Sequence, residues 1–255
     1  MKKRVGIILI FVLLVLYIFI NISFYSTKNV AIFGKTTIVY YKNNKIDKIK
    51  YYDKIKNKYS YELFNVLIDD KFVKAKIILN NNNENEWYQI YDLDYEKLYP
   101  YQLIAYKGNI KMDGSTKTSD EETELDISNI SKIEKENDLN VEKNEYKKIV
   151  FDMDNDGNSE IVYYIDYIDI KTNMYCYCIY LYKDNSLLSI STKNYSLEQL
   201  TYSEKYDLAG VIDIDLDGKK EILLSSNNGD DTPVYYHFFK YDSKSNSVNE
   251  IKWGG

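Results

Sequence analysis

Cysteine occurs only twice in the 255 residues, at Cys176 and Cys178, which excludes a disulfide-stapled scaffold. Proline also occurs twice and glycine ten times, so neither a collagen-like repeat nor a proline-rich chain is encoded. Alanine, the best helix former, appears only at Ala31, Ala75, Ala105 and Ala209. The single histidine, His237, would have to carry any Ser-His-Asp or Cys-His mechanism. It stands in the aromatic run Val234–Phe239, where a strand histidine is read as structural. Basic residues are outnumbered, 33 against 39. Residues 1–25 hold Lys2, Lys3 and Arg4 and no acid, so the rest carries 30 − 39 = −9. That balance lacks the basic footprint of a nucleic-acid binder.

What is present is apolar and aromatic: 45% of the chain is hydrophobic, 15% is aromatic, and tyrosine alone occurs 28 times. Disorder throughout is thereby excluded, and one or two domains with a real core are expected. Tyr, Ile, Val and Phe favour half-buried pleated surfaces, so the fold class reads as mainly β. AT-rich codon bias is the bland explanation of the tyrosine excess, and it leaves the β reading unchanged.

Residues 1–4 form a basic tail ahead of 21 uncharged residues, 5–25. As a helix that stretch spans about 31 Å, close to the ~30 Å hydrocarbon core of a bilayer. A single-pass transmembrane anchor is expected, with the positive N-terminus cytoplasmic and the remainder extracellular. The alternative is a cleaved signal peptide. Against it, Val5–Ile20 is longer than a usual signal core of roughly 7–15 residues, and small residues are missing at a cleavage site after Tyr25 or Ser26.

Residues 26–112 read as a β-rich region. Within it, 30–41 look extended, and 61–68 with 72–79 look like a hairpin about Asp69-Asp70-Lys71. Residues 113–147 are acidic and poor in apolar side chains, which predicts a linker or long exposed loop. Cys176 and Cys178, two apart on an aromatic strand, point to one face at a separation unsuited to a strain-free disulfide. They read as small core side chains, with a redox or metal pair as the alternative.

One pattern occurs twice in residues 148–255. Asp152, Asp154, Asp156, Gly157 and Glu160 match Asp213, Asp215, Asp217, Gly218 and Glu221 at a constant offset of 61. Each copy leads into an aromatic strand and a polar turn, with a two-residue length change between motif and turn. A degraded third copy stands at Tyr91–Glu96, without the glycine. Acids at positions 1, 3, 5 and 9 can converge on a hard cation. Ca²⁺ takes six to eight oxygens at about 2.3–2.6 Å, and glycine at position 6 permits the positive φ of a sharp turn. Without a cation, carboxylates ~4 Å apart would repel by roughly 4 kcal/mol per pair at an effective dielectric of 20. The competing reading is a metal-free acidic hairpin, since Asp-Gly is itself a strong hairpin signal. It leaves Asp152, Asp154, Asp213 and Asp215 unexplained.

An EF-hand is excluded by spacing, because position 12 is Tyr163 in one copy and Leu224 in the other. A ninth-position acid running into an apolar strand instead resembles the FG-GAP or VCBS-type repeat. That is the calcium-loop repeat of integrin α propellers and of many bacterial surface proteins. The resemblance implies that Asp152, Asp154, Asp156 and Glu160 ligate Ca²⁺ by side chain and Asn158 by its carbonyl. It implies the same for Asp213, Asp215, Asp217 and Glu221, with Lys219 giving its carbonyl. It further implies β-propeller-like repeat sheets, about four units in the length available, with closure left open and a partial or merged sheet array as the alternative. The expected function is a membrane-anchored extracytoplasmic calcium-binding module for ligand recognition or structure at the cell surface, with a cell-wall glycan or a protein as partner. A cell-wall-acting hydrolase and an assembly or signalling subunit of a membrane complex are the alternatives. No nucleophile elbow or phosphate-cradling glycine loop is present, so no catalytic residue is nominated.

Overall fold

The structure is a computed structural model that describes residues 29–33, 37–42, 45–49, 63–68, 71–79, 88–91, 104–113, 122–199, 205–227 and 235–251. Their first sheet holds β1 (Val30–Phe33), β2 (Thr37–Lys42), β3 (Lys45–Ile49), β4 (Leu63–Ile68), β5 (Lys71–Leu79), β6 (Tyr88–Tyr91) and β7 (Ile104–Lys107). Its order is β3-β2-β1-β7-β4-β5-β6. After β8 (Lys111–Asp113) comes the one described helix, α1 (Glu124–Glu136). An outer sheet follows as a meander of β9 (Lys143–Phe151), β10 (Glu160–Asp169), β11 (Met174–Lys183) and β12 (Ser186–Ser196). A middle sheet repeats the meander in β13 (Lys205–Asp213), β14 (Glu221–Asn227), β15 (Tyr235–Asp242) and β16 (Ser247–Glu250), with β8 added beside β13.

The described residues are mainly β, as the composition requires. The expected extended segment appears as β1 and β2, and the expected hairpin as the antiparallel pair β4–β5. No closed propeller is formed among the described residues, whose strands fall into three sheets. The physical reason lies in β7, which pairs with β1 on one side and β4 on the other and so zips two meanders into one seven-stranded sheet. The degraded copy at 91–96 lies outside the described residues apart from Tyr91. The anchor at 5–25 lies wholly outside them, and among the described residues no helix is long and apolar enough to cross a membrane.

Period-two alternation explains how the layers stack. On β10, Val162 and Tyr164 face the middle sheet and join Leu208, Val211, Ile222 and Leu224 in one core. Tyr163, Ile165 and Tyr167 face the other way and pack with Cys176, Cys178, Ile130 and Ile133 beneath α1. The two thiols are buried and unbridged, with their Sγ atoms 3.8 Å apart. The middle sheet is also covered twice: its second face, with Ile212, Leu223 and Phe238, meets Ala31, Phe33 and Ile104 of the first sheet. Phe33 lies edge-on to Phe238 at 5.1 Å between ring centres, a favoured arrangement for two π systems.

Residues 113–147 are not simply a linker, because they contain α1. Its buried stripe is Asp126, Asn129, Ile130 and Ile133, a helical spacing of i, i+3, i+4 and i+7 in which half the positions are polar. Apolar periodicity therefore misses it. A capping box starts the helix: Asp126 N–H donates to Thr123 Oγ1 at 3.2 Å, and Thr123 N–H donates to Asp126 Oδ2 at 2.9 Å. The polar stripe meets tyrosines. Tyr163 donates to Asp126 at 3.0 Å, Asn129 donates to the Tyr163 hydroxyl at 3.2 Å, and Asn137 donates to the Tyr180 hydroxyl at 3.0 Å. Lys148 of β9 closes a buried ion pair with Asp126. Burial alone would raise the Asp126 pKa, but the hydrogen bond from Lys148, with those from Thr123 and Tyr163, outweighs it and holds the carboxyl below its ordinary value.

Removing one partner of a buried pair strands the other charge, at a cost of about 3–5 kcal/mol. Asp126→Asn should therefore lower the melting temperature by roughly 6–20 °C at neutral pH, taking about 2–4 °C per kcal/mol for a domain of this size. The depressed folded-state pKa means that Asp126 stabilises above its unfolded value near 3.9, and that this stability is lost as pH falls through the folded value. Melting curves from pH 7 down to pH 3 should show the two proteins converging in acid. A constant difference would disprove the role given to the charge.

Candidate metal centre

Each acidic motif forms the loop between the first two strands of a meander: 152–159 joins β9 to β10, and 214–220 joins β13 to β14. The loops share one backbone path. Position 4 has positive φ in both (Asn155 59°, Leu216 60°), as does position 6 (Gly157 87°, Gly218 88°). Neither is a two-residue hairpin turn, so a local Asp-Gly preference does not account for them. Glutamate at position 9 closes each loop on itself. Glu160 Oε2 accepts from Met153 N–H at 2.6 Å, and Glu221 Oε2 accepts from Ile214 N–H at 3.0 Å.

Asp152, Asp154 and Glu160 converge at one site, and Asp213, Asp215 and Glu221 at the other, with ligand oxygens within 4.8 Å of one another in each. Each group could hold a metal ion. The position-5 acids behave differently. Asp156 folds back to accept from Asn158 N–H at 2.7 Å and Asn158 Nδ2 at 3.1 Å. Asp217 accepts from Lys219 N–H at 2.8 Å. Asp156 and Asp217, with Asn158 and Lys219, thus build Asx turns that shape the loops.

The sequence reading missed two lysines. Ile161 pairs with Tyr182 and Ile222 with Phe239; one step further, Lys183 stands opposite Glu160 and Lys240 opposite Glu221. Lys183 Nζ lies 2.6 Å from Glu160 and 3.1 Å from Asp154. Lys240 Nζ lies 2.5 Å from Asp215, 2.7 Å from Asp217 and 3.1 Å from Glu221. The lysines correspond at an offset of 57, which is four residues short of 61 rather than the two that the turns suggest. The turn-based alignment fails because β11 ends in a two-residue turn, Lys183 pairing with Ser186, whereas Asp242 at the end of β15 pairs with Ser247. No sequence spacing marks these lysines; only cross-strand register does.

An ammonium has three donors, and the sites hold more oxygens than that. At the second site Asp213 is 8% exposed and its Oδ1 has no hydrogen-bond donor. Glu221 Oε1 has Lys240 beside it as an ion pair but no directed hydrogen bond. Burial, and then the charge of Asp215, push the Glu221 pKa up to about 7. Burial also raises Asp213, with the charges of Asp215 and Asp217 acting in the same direction. At the first site Asp152 accepts from Asp156 N–H at 3.2 Å and Gly157 N–H at 3.0 Å, and the buried oxygen without a hydrogen-bond partner is Asp154 Oδ1. The loops also touch each other. Lys220 N–H donates to the Met153 carbonyl at 2.8 Å, and Asn155 Nδ2 donates to the Gly218 carbonyl.

His237 is held by Ser226 Oγ at 2.9 Å from Nε2 and by Glu250 Oε1 at 2.7 Å from Nδ1. The order resembles a charge relay, but Ser226 is 2% exposed and lies in the ladder between β13 and β15. It does not sit at a turn that would present N–H groups to an oxyanion. Comparison with protein-family models, curated proteins and solved structures finds no match for this chain.

Positive φ at position 6 is a conformational requirement separable from packing. A Cβ on Gly157 would meet nothing within 4 Å, and one on Gly218 only Asn155 Nδ2 at 3.7 Å. Gly157→Ala and Gly218→Ala should therefore each cost only the left-handed penalty, about 1–2 kcal/mol. Thermal unfolding should show each variant about 2–8 °C less stable. Unchanged stability would mean that the loop does not hold this path.

Proposed function

We propose that the protein is a membrane-anchored, extracytoplasmic calcium-binding repeat protein that serves as a ligand-recognition or structural module at the cell surface. The observation that carries this reading is the second loop, where three carboxylates converge on a buried Asp213 oxygen that lacks a donor. Oxygen-only ligands in a flexible loop suit Ca²⁺ better than Mg²⁺, which demands near-octahedral geometry and keeps its waters. The same features support the resemblance to FG-GAP or VCBS-type repeats, as do the shared φ pattern and the paired four-stranded meanders. Calcium here would brace loops at one end of two stacked sheets and do no chemistry.

A ligand surface is offered between those sheets. A cavity of about 290 Å³ is lined by Tyr164, Tyr175, Tyr206, Asp166 and Asp207, among others. Tyr164 and Tyr175 are buried, so it is the hydroxyls and carboxylates at its wall that suit a polyhydroxylated ligand such as a wall glycan. The anchor assigned to residues 5–25 would hold this surface against the outer face of the membrane.

The test is thermal unfolding of the full chain in detergent, with about 2 mM Ca²⁺ or with excess chelator. For an extracellular-type site with Kd of about 0.1 mM, mass action predicts stabilisation of ~1.8 kcal/mol per occupied site. That is a rise of about 4–7 °C, and it should vanish in Asp154→Ala/Asp215→Ala. No shift in the wild-type chain would remove calcium from the description.

A further inference from the structure

The two loops repeat one another in sequence and backbone, yet their cation positions differ, and the difference lies in the lysines. Lys183 is enclosed: its side chain is 4% exposed, and its ammonium sits 5.6 Å from the centre of the Tyr241 ring. Lys240 is open, with its side chain 32% exposed. It can swing into solvent without disturbing the core, whereas Lys183 cannot leave without disrupting its contact with Tyr241. Each loop keeps a buried carboxylate oxygen without a hydrogen-bond partner, Asp154 Oδ1 in the first and Asp213 Oδ1 in the second, so it is the lysines that tell the loops apart. The Lys240 ammonium engages Asp215, Asp217 and Glu221 and does not reach Asp213.

We propose that the two loops have divided roles. The loop at 213–221 is the dication site, which Ca²⁺ enters by displacing the Lys240 ammonium, and the loop at 152–160 is permanently filled by Lys183 as an internal counter-ion. This rests on the calcium reading above and sharpens it to one ion per chain. The second loop sets four carboxyl groups against one ammonium. Replacing the ammonium with a dication adds one positive charge to that balance and gives Asp213 Oδ1 a partner. Lys240 therefore acts as a latch: it holds the loop together in calcium-poor surroundings and weakens binding by having to be displaced. Loop-to-loop contacts through Met153, Lys220, Asn155 and Gly218 then let the lysine-filled loop serve as a fixed abutment for the working one.

Titration calorimetry of the full chain in detergent, with CaCl₂ as the injected probe, separates the possibilities. One Ca²⁺ per wild-type chain is expected. Binding should be abolished by Asp215→Asn and kept in Asp154→Asn. Lys240→Met should bind about tenfold more tightly, equivalent to ~1.4 kcal/mol, with lower stability in chelator. Lys183→Met should bring the stoichiometry to two. Lys183→Met leaves Glu160 buried beside an apolar side chain and can fail to fold, so the wild-type stoichiometry and the two aspartate variants decide without it. Two ions per wild-type chain, or loss of binding in Asp154→Asn rather than Asp215→Asn, would overturn the division of roles and leave calcium binding standing. An unchanged affinity in Lys240→Met would overturn the latch. Binding by neither the wild type nor Lys240→Met would sink the calcium reading itself.

Discussion

The two central strands of the outer meander, β10 and β11, carry bulky side chains on both faces, and both faces must be covered. The other features of this region follow from that constraint. Leucine or isoleucine would need only an apolar neighbour, worth about 1.5–3 kcal/mol per fully buried side chain. Tyrosine needs more, because a buried hydroxyl without a partner forfeits much of that gain. On the face toward the middle sheet, Tyr164 and Tyr175 place their hydroxyls 3.3 Å apart, and Tyr175 donates to Asp166. On the opposite face the partners come from α1, through Asp126, Asn129, Glu134 and Asn137. A helix that would be too polar to bury against leucine is thus a good lid for a tyrosine sheet. It also covers Tyr163, Ile165 and Tyr167, which face away from the middle sheet.

Charge is organised at one end of the same meanders. Two carboxylates 4.8 Å apart repel by about 3.5 kcal/mol at an effective dielectric of 20, and each loop gathers several. Cross-strand lysines answer this in both repeats, drawn in by the register that sets Lys183 opposite Glu160 and Lys240 opposite Glu221. Each loop therefore carries its own counter-ion, and on the calcium proposal a dication would enter the second loop against that internal competitor. Repeats that begin alike can diverge at such a place with little change of backbone, since enclosing or freeing one lysine changes what each loop can accept.

How much was legible from residues alone differs by level. The β class, the early hairpin and the doubled motif could be read directly, because they depend on side-chain type and on spacings of two to nine residues. Asp152, Asp154, Glu160, Asp213, Asp215 and Glu221 converge as the spacing implied. Asp156 and Asp217 have the same residue type at the same spacing, but Asp156 turns to Asn158, while Asp217 gives one oxygen to the Lys219 N–H and the other to Lys240. The helix α1 was hidden because half of its buried stripe is polar. The single seven-stranded sheet was hidden because β7 pairs with strands about 40 and 70 residues away, and such pairing leaves no local trace.

The sequence by itself determined the composition of the faces, the turn chemistry of the loops and the identity of the acids, all set by covalent neighbours and short-range sterics. The tertiary structure alone decided which lysine answers which carboxylate, which of two matching loops encloses its lysine, and which tyrosine hydroxyls find a helix. Those outcomes depend on strand register and layer order. Register fixes where a side chain arrives only after distant segments have paired, and a local motif carries no record of that pairing.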